Sequence, residues 1–213
     1  MTVDVYADIA CPWCYVGRAR LKQALDRRPD LDVTLRWRPF QLQPNLPPEG
    51  RDFRSAIEEK FGDWARAKRM FGRVREMGAA DGLAFDFDAI DVAPNTADAH
   101  RLVLWGQDQN AGDAVATALF RAIFSEGRNV TEPEVLVDCA ADAGLDAEAA
   151  RALLDGDEYA EAVRESQHRA QQRCITGVPC YVFGQEHAVM GAQSVEALTE
   201  ALDAAPPTPS ATE

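Results

Sequence analysis

Long apolar runs are missing from this 213-residue sequence, and none approaches the roughly 18 apolar residues that a transmembrane helix needs. The first ten residues have no basic start leading into an apolar run, so no signal peptide is predicted. Positive charge is scarce as well, because 22 Lys and Arg residues face 35 Asp and Glu residues and the formal net charge is −13. We therefore expect neither nucleic acid nor a membrane as a partner. A cytoplasmic location is expected, unless a leader precedes this sequence.

Cysteine is also sparse, with five residues at positions 11, 14, 139, 174 and 180. An odd count in a reducing compartment favours thiol chemistry over a framework of structural disulfides. Internal repeats with periods of roughly 20 to 50 residues are absent, which argues against a solenoid or a propeller. The apolar content of 46% is enough for one packed domain, or for one domain with a large insertion.

The most informative motif is Cys11-Pro12-Trp13-Cys14, because of what surrounds it. Residues 2–10 alternate like a strand, and Pro12 falls where a helix would begin, a position that tolerates its missing N–H. Cys11 would then lie at the helix N-terminus, whose unpaired N–H groups favour a thiolate. We predict Cys11 as the nucleophile and Cys14, one turn later, as the resolving thiol.

A zinc site is the alternative interpretation of the same motif. It would need Cys11 and Cys14 together with two of the other three cysteines. The predicted context, a strand running directly into a helix, does not match a zinc ribbon. No metal site is therefore predicted.

The remaining pattern predicts an α/β fold. A helix to about Arg28 and an alternating strand over residues 31–38 complete a βαβ unit with parallel strands. Only helical signals follow over residues 53–175, which we interpret as a large all-helical insertion, with Ser55, Asp63, Thr131, Asp146 and Ser194 among the predicted helix caps of the chain. The predicted divisions are one discontinuous domain, residues 1–40 and 176–204, the insertion, residues 53–175, and a disordered tail, residues 205–213.

After the insertion, Gly177-Val178-Pro179 precedes a candidate hairpin and a closing helix. This order of elements resembles the thioredoxin-like fold as elaborated in the DsbA family. Within that family the chain is similar to the FrnE-like branch, through a set of short motifs: Cys11-Pro12-Trp13-Cys14-Tyr15, Trp37-Arg38-Pro39-Phe40, Asn95-Thr96, His100-Arg101-Leu102, Gly177-Val178-Pro179 and Gly191-Ala192-Gln193.

The resemblance implies further site residues. It implies a cis peptide bond between Val178 and Pro179, with Pro179 opposite Cys11 and Val178 able to pair with an extended substrate. His100 and Asn95 lie in a stretch similar to the ligand-facing insertion of the family, although a packed histidine and a helix-capping asparagine explain them equally well. Pro12 and Trp13 complete the predicted substrate-binding set.

Three polar positions near the motif carry weaker expectations. We interpret Asp8 as a solvated carboxylate at the end of a strand, with a role as proton acceptor for Cys14 only if it is buried. Cys180 is expected to be a small buried side chain, with a second redox pair between Cys174 and Cys180 as the alternative. Cys139 is expected in the core.

The function that follows is thiol–disulfide exchange between the Cys11-Cys14 pair and disulfide-containing proteins or small thiols. No tightly bound cofactor is expected, and glutathione or a dithiol is a candidate co-substrate. The alternative is a glutathione-dependent isomerase or transferase that resembles 2-hydroxychromene-2-carboxylate isomerase or the kappa-class transferases, and a third is a chaperone-like binder without catalysis. Two cysteines in the motif favour redox chemistry. The sequence leaves a monomer or a homodimer open.

Overall fold

The computed structural model describes residues 1–184 and 186–205. Its main sheet has four strands in the order β2-β1-β5-β6, with β1 parallel to β2 and antiparallel to β5. These strands are β1 (Thr2–Ala7), β2 (Thr34–Pro39), β5 (Cys180–Phe183) and β6 (His187–Met190). The helix α1 (Pro12–Asp26) connects the parallel pair, as a crossover must. The α/β fold with a helical insertion, predicted from the sequence, is confirmed.

Alternation along the strands gives the sheet two covered faces. Val3 and Val5 of β1 point into the larger core together with apolar residues of α1 and of the closing helix α9 (Val195–Ala204). Tyr6 points to the opposite face and packs with Cys180 and Val182 of β5 in a second, smaller cluster. Both faces of the sheet are therefore buried, one by α1 and α9 and the other partly by α8, described next.

The connection between β2 and β5 contains most of the helices. Their bounds are α2 (Phe53–Phe61), α3 (Trp64–Ala80), α4 (Ala97–Asp108), α5 (Gly112–Phe124), α6 (Pro133–Asp142), α7 (Ala147–Asp155) and α8 (Ala160–Gln172). A stack of aromatic rings joins α1 to this connection, with the ring of Tyr15 5.3 Å from Phe120 and 5.5 Å from Phe85. The helices are therefore continuous with the core under the cysteine motif.

One short strand, β4 (Val92–Ala93), corrects the prediction that residues 53–175 are purely helical. It pairs in antiparallel fashion with β3 (Arg51–Asp52), with Arg51 opposite Ala93. Two residues are too few to show an alternating pattern, so the sequence carried no signal for them. The pairing ties the start of α2 to the segment that precedes α4.

Helix caps were predicted with mixed success. Asp63, Asp146 and Ser194 cap their helices through side-chain hydrogen bonds, as predicted. Ser55 was the wrong choice, because Asp52 accepts the hydrogen bond from its N–H and caps α2. Thr131 was also wrong, since its hydroxyl binds Asn129 and α6 begins one residue after Glu132.

The predicted disordered tail, residues 205–213, lies outside the described residues except for its first residue, Ala205. Within residues 1–184 and 186–205, none of the helices is long and apolar enough to cross a membrane.

Candidate active site

Cys11 lies where β1 gives way to α1, at the N-cap position of that helix, and Pro12 occupies the first helical turn as predicted. The Cys11 N–H donates to the carbonyl oxygen of Asp8 over 3.0 Å, and the Cys14 N–H donates to the carbonyl oxygen of Cys11 over 2.9 Å. The Cys11 side chain makes no capping hydrogen bond, although the backbone N–H groups of Trp13 and Cys14 lie near enough to contribute to lowering the pKa of its thiol. Both thiols are largely buried, Cys11 to 5% and Cys14 to 1% exposure.

The pKa values of the two thiols are shifted in opposite directions. A hydrogen bond from the Cys14 thiol stabilises the Cys11 thiolate and, against the cost of burial, lowers the pKa of Cys11 below its ordinary value. Burial raises the pKa of Cys14 far above its ordinary value, and the hydrogen bond and charge of Cys11 raise it further. Of the two thiols, Cys11 is therefore the one that ionises more readily, and Cys14 is the one that stays protonated to higher pH.

Val178 and Pro179 lie directly opposite this pair. The peptide bond between them is cis, as the resemblance implied. The sulfur of Cys11 is 3.9 Å from the carbonyl oxygen of Val178. Pro179 is buried, and its Cγ would lie 3.0 Å from a Cβ added at Gly17, so α1 approaches this loop closely only because residue 17 is glycine.

Asp8 corrects a prediction, because its carboxylate is 2% exposed and not solvated. One oxygen accepts hydrogen bonds from the Thr96 hydroxyl at 2.9 Å and the Ala10 N–H at 3.2 Å, and the other accepts from the Leu42 N–H at 2.7 Å. Burial raises the pKa of Asp8, but the neighbouring His100 side chain, together with the N–H groups of Leu42 and Ala10, outweighs it and lowers the pKa overall. A buried, ionised carboxylate therefore lies close to both cysteines.

His100 is buried in the structure, whereas one interpretation of the sequence predicted that it faces a ligand. Its side chain is 3% exposed and its Nε2 lies 3.5 Å from Asp8, so it packs beneath the site and has no surface to offer a substrate. Packing explains it, since α4 carries it into the core beside Leu102. His100 therefore adjoins the site through the carboxylate of Asp8.

Asn95 holds the loop beside the site. Its side-chain oxygen accepts from the Ala97 N–H at the start of α4, and its Nδ2 donates to the Leu46 carbonyl over 2.7 Å. The same oxygen accepts from the Gln41 side chain. Its predicted contact with substrate stays a prediction, while the capping alternative describes the contacts that the structure contains.

A chamber of about 300 Å³ opens beside Cys11. Pro12, Trp13 and Val178 line it on the cysteine side, as part of the predicted substrate-binding set. Its other walls are mostly apolar side chains of the helical connection, including Phe53, Ile57, Phe61, Met70 and Phe71, with Lys60 as a cation among them. Sequence reasoning missed these residues, although the apolar positions of α2 and α3 contained the signal. The chamber offers an apolar surface to whatever approaches the Cys11 sulfur.

Comparison with known proteins agrees with this arrangement. The model of the DSBA-like thioredoxin domain family matches residues 2–203. The chain belongs to the DSBA-like thioredoxin domain family. The structure of a probable DsbA oxidoreductase from Streptomyces coelicolor is similar at 35% identity and a TM-score of 0.86, covering 95% of this chain and 88% of that one.

Two more distant structures share the DSBA-like fold. A 2-hydroxychromene-2-carboxylate isomerase is 18% identical with a TM-score of 0.68, and the match covers 95% of each chain. The cytosolic disulfide reductase DsbM from Pseudomonas aeruginosa, solved with glutathione, is 21% identical with a TM-score of 0.67, and the match covers 95% of this chain and 98% of that one. At these identities the likeness concerns the fold.

The other three cysteines of this DSBA-like protein lie away from the pair. Burial raises the pKa of Cys139 to about 12 and that of Cys180 to about 11, so both are packed thiols, as expected from the sequence. Cys180 points to the sheet face opposite α1, whereas Cys174 is exposed after α8. Within the described part of the chain, no group of three or more His, Cys, Asp or Glu side chains is arranged to hold a metal ion.

Proposed function

We propose that this DSBA-like protein is a thiol–disulfide oxidoreductase in which Cys11 attacks and Cys14 resolves. The observation that carries the proposal is the placement of two thiols at one helix N-terminus. Cys11, at the N-cap, lines the chamber and lies 3.9 Å from the carbonyl oxygen of Val178, whereas Cys14, one turn later, is 1% exposed. The directions of the two pKa shifts, lowered for Cys11 and raised for Cys14, agree with this placement. Exchange needs an attacking thiolate and a second thiol that stays protonated until the mixed disulfide has formed. Neighbouring thiols with these two acidities meet both requirements.

In the reducing direction the Cys11 thiolate attacks one sulfur of a substrate disulfide. A new S–S bond joins Cys11 to the substrate, the substrate S–S bond breaks, and the departing thiolate takes up a proton. Cys14 then loses its proton and attacks the Cys11 sulfur, which releases the second substrate sulfur as a thiolate that is protonated in turn. The substrate gains two electrons and two protons, and Cys11 and Cys14 are left as a disulfide.

Substrate placement follows from the chamber. An apolar group flanking the substrate disulfide would fill the space between Trp13 and the walls formed by α2 and α3. The backbone at Val178, opposite the Cys11 sulfur, would hold the extended chain of a protein substrate. The proposed substrates are therefore disulfides flanked by large apolar groups, either in proteins or in small molecules.

The finer assignments belong to the same proposal. Glutathione is the proposed dithiol-regenerating co-substrate, supported by its presence in the DsbM structure, which has the same fold. We likewise propose a cytoplasmic location and the FrnE-like branch, the latter on the sequence motifs around residues 11–15, 95–102 and 177–179. The insertion, residues 53–175, is proposed as the part that selects the substrate, since it supplies the chamber walls.

Insulin reduction by dithiothreitol tests the proposal. The wild-type protein should accelerate precipitation of the insulin B chain, and Cys11→Ser should abolish the acceleration. Cys174→Ser, which removes the exposed cysteine distant from the site, is the matched control and should retain full activity. Equal activity of Cys11→Ser and wild type would rule the mechanism out.

A glutathione-dependent isomerase is the second candidate, supported by the shared fold with 2-hydroxychromene-2-carboxylate isomerase. Such a reaction needs one activated group and no resolving thiol. Isomerisation of a chromene carboxylate with glutathione, retained in Cys14→Ser, would favour this function. Loss of insulin reduction in Cys14→Ser without any isomerase activity would favour the oxidoreductase.

A further inference from the structure

A second cavity lies on the face of the sheet that α8 covers, with a volume of about 160 Å³. We call it the arginine cavity, and its polar lining comes from Asp4, Tyr6, Arg38, Ser166, Arg169 and Arg173. Tyr6 belongs to the smaller apolar cluster and not to the core that contains Cys11 and Cys14. None of the residues that line the chamber beside Cys11 lines this cavity. The arginine cavity is therefore a site separate from the thiols.

Charge in the arginine cavity is positive, although the whole chain carries −13. Asp4 is buried, and its carboxylate is held by two arginines, Arg36 at 2.8 Å and Arg38 at 3.0 Å. Arg169 is paired with Glu165, while Arg173 has no carboxylate partner among the described residues. Four arginines therefore face two carboxylates, which leaves two positive charges around a small cavity.

Several hydrogen-bond donors in the cavity are uncommitted. Arg38 uses only its Nε to bind Asp4, so both of its Nη groups lack a partner within residues 1–184 and 186–205. The Ser166 hydroxyl has no hydrogen-bond partner in the same part of the chain, and it is shielded from solvent because only 7% of the residue is exposed. An unpaired buried hydroxyl costs free energy, and a bound acceptor would remove that cost.

We propose that the arginine cavity binds a small dianion of the phosphate type. Arg38 and Arg173 match the charge of such a group, since guanidinium N–H groups form strong, oriented bonds to phosphate oxygens. Ser166 supplies a neutral donor to a third oxygen, and Ala162 and Leu104 close the cavity with apolar surface. Inorganic phosphate and the phosphate of a monoester present the same oxygens, so both are candidate ligands.

The contacts of α8 connect this site to the redox centre. Gln167, which follows Ser166, accepts a hydrogen bond from the Gln41 N–H at 2.8 Å and donates one to the Gln41 carbonyl oxygen. Leu42, which follows Gln41 in the chain, donates its N–H to Asp8. An anion that orders α8 would therefore act on the loop that hydrogen-bonds the Asp8 carboxylate.

Phosphate titration followed by calorimetry and by NMR of backbone amides tests the proposal, at constant ionic strength so that general screening does not change. We expect saturable binding of one phosphate, with shifts concentrated at residues 4–6, 38 and 166–173. Ser166→Ala should weaken phosphate binding without lowering the stability of the free protein, because the lost hydroxyl had no partner. Arg173→Gln should weaken binding by about tenfold or more.

Arg164→Gln is the matched control. It removes the same charge from α8, the helix that Arg173 caps, at a side chain that pairs with Glu161 and is not among the residues that line the cavity. It should leave phosphate binding unchanged. Equal weakening by Arg164→Gln and Arg173→Gln, or non-saturable shifts, would overturn the proposal in favour of unspecific attraction. A parallel titration with glycerol phosphate identifies the source, since tighter binding than inorganic phosphate indicates a monoester and weaker binding indicates the free ion.

Discussion

The Cys11 sulfur lies 3.9 Å from the carbonyl oxygen of Val178, a residue 167 positions away in the chain. This contact brings the start of α1 and the cis Val178-Pro179 bond together as the two sides of one site. A substrate sulfur at Cys11 would therefore lie beside the backbone of Val178. The chamber beside the pair gives that substrate an apolar surface to bind.

The first prediction concerns the acidity of Cys11. Its reaction with iodoacetamide should follow an apparent pKa below that of an ordinary cysteine, about 8.5, because the Cys14 thiol hydrogen-bonds the thiolate. Cys14 should resist alkylation over the same pH range. The rate is measured by mass spectrometry in a Cys174→Ser background, which removes the exposed thiol. An apparent pKa above about 8.5, the value of a free cysteine, would contradict the assignment.

The second prediction concerns Asp8. Its negative charge raises the pKa of Cys11, so Asp8→Asn should lower that pKa further. Thiolate absorbance in the ultraviolet, followed against pH, measures the change. Thr96→Val is the control, because it removes one hydrogen bond to the carboxylate but keeps the charge, and it should change the pKa of Cys11 less. A higher pKa in Asp8→Asn would show that the carboxylate does not act through its charge.

The third prediction concerns the close approach of α1 to the Pro179 loop. Gly17→Ala would place a Cβ against the Tyr181 hydroxyl and 3.0 Å from Pro179, so it should lower the free energy of unfolding by about 1–3 kcal/mol. Disulfide exchange should fall as well, because the loop opposite Cys11 must move.

Gly72→Ala is its matched control within α3, because no described heavy atom lies within 4 Å of the added Cβ apart from the adjoining residues and backbone of that helix. It should raise the free energy of unfolding by about 0.5–1 kcal/mol. Chemical denaturation of both variants measures the difference. Equal effects from the two substitutions would show that Gly17 is not a contact point.

The cysteine motif shows how much of the site local sequence can predict. Cys11, Pro12 and Cys14 were placed correctly because a strand, a proline and a helix follow one another directly in the chain. The cis bond at Val178-Pro179 came from the resemblance, not from the residue pattern. Local signals therefore located the thiols, and family likeness added the opposite wall.

Long-range contacts account for what was missed. The burial of Asp8 depends on Leu42 and Thr96, which are 34 and 88 residues away, and no pattern around Asp8 indicates them. The same holds for the arginine cavity, where Arg38 and Ser166 meet only because α8 packs on the outer face of the sheet. Such sites follow from tertiary packing and not from periodicity.

The fourth prediction concerns the chamber. Ile57→Asn places an amide in its apolar wall and should reduce kcat/KM by about tenfold for peptides with a large apolar side chain beside the cysteine. Peptides with glycine at that position should be unaffected. Arg54→Gln, also on α2 but outside the chamber lining, should leave both substrates unchanged. Equal losses for both peptides in Ile57→Asn would place the substrate elsewhere.

Trapping of the mixed disulfide tests most directly whether Cys11 is the attacking thiol and Cys14 the resolving thiol. Cys14→Ser removes the resolving thiol, so a disulfide peptide should remain covalently attached to Cys11, and peptide mapping by mass spectrometry identifies the linked cysteine. We expect one equivalent of substrate on Cys11, released by dithiothreitol, with none on Cys139 or Cys180, whose thiols are buried. A substrate attached only through Cys174, or no adduct while the wild-type protein exchanges the same disulfide, would contradict this assignment.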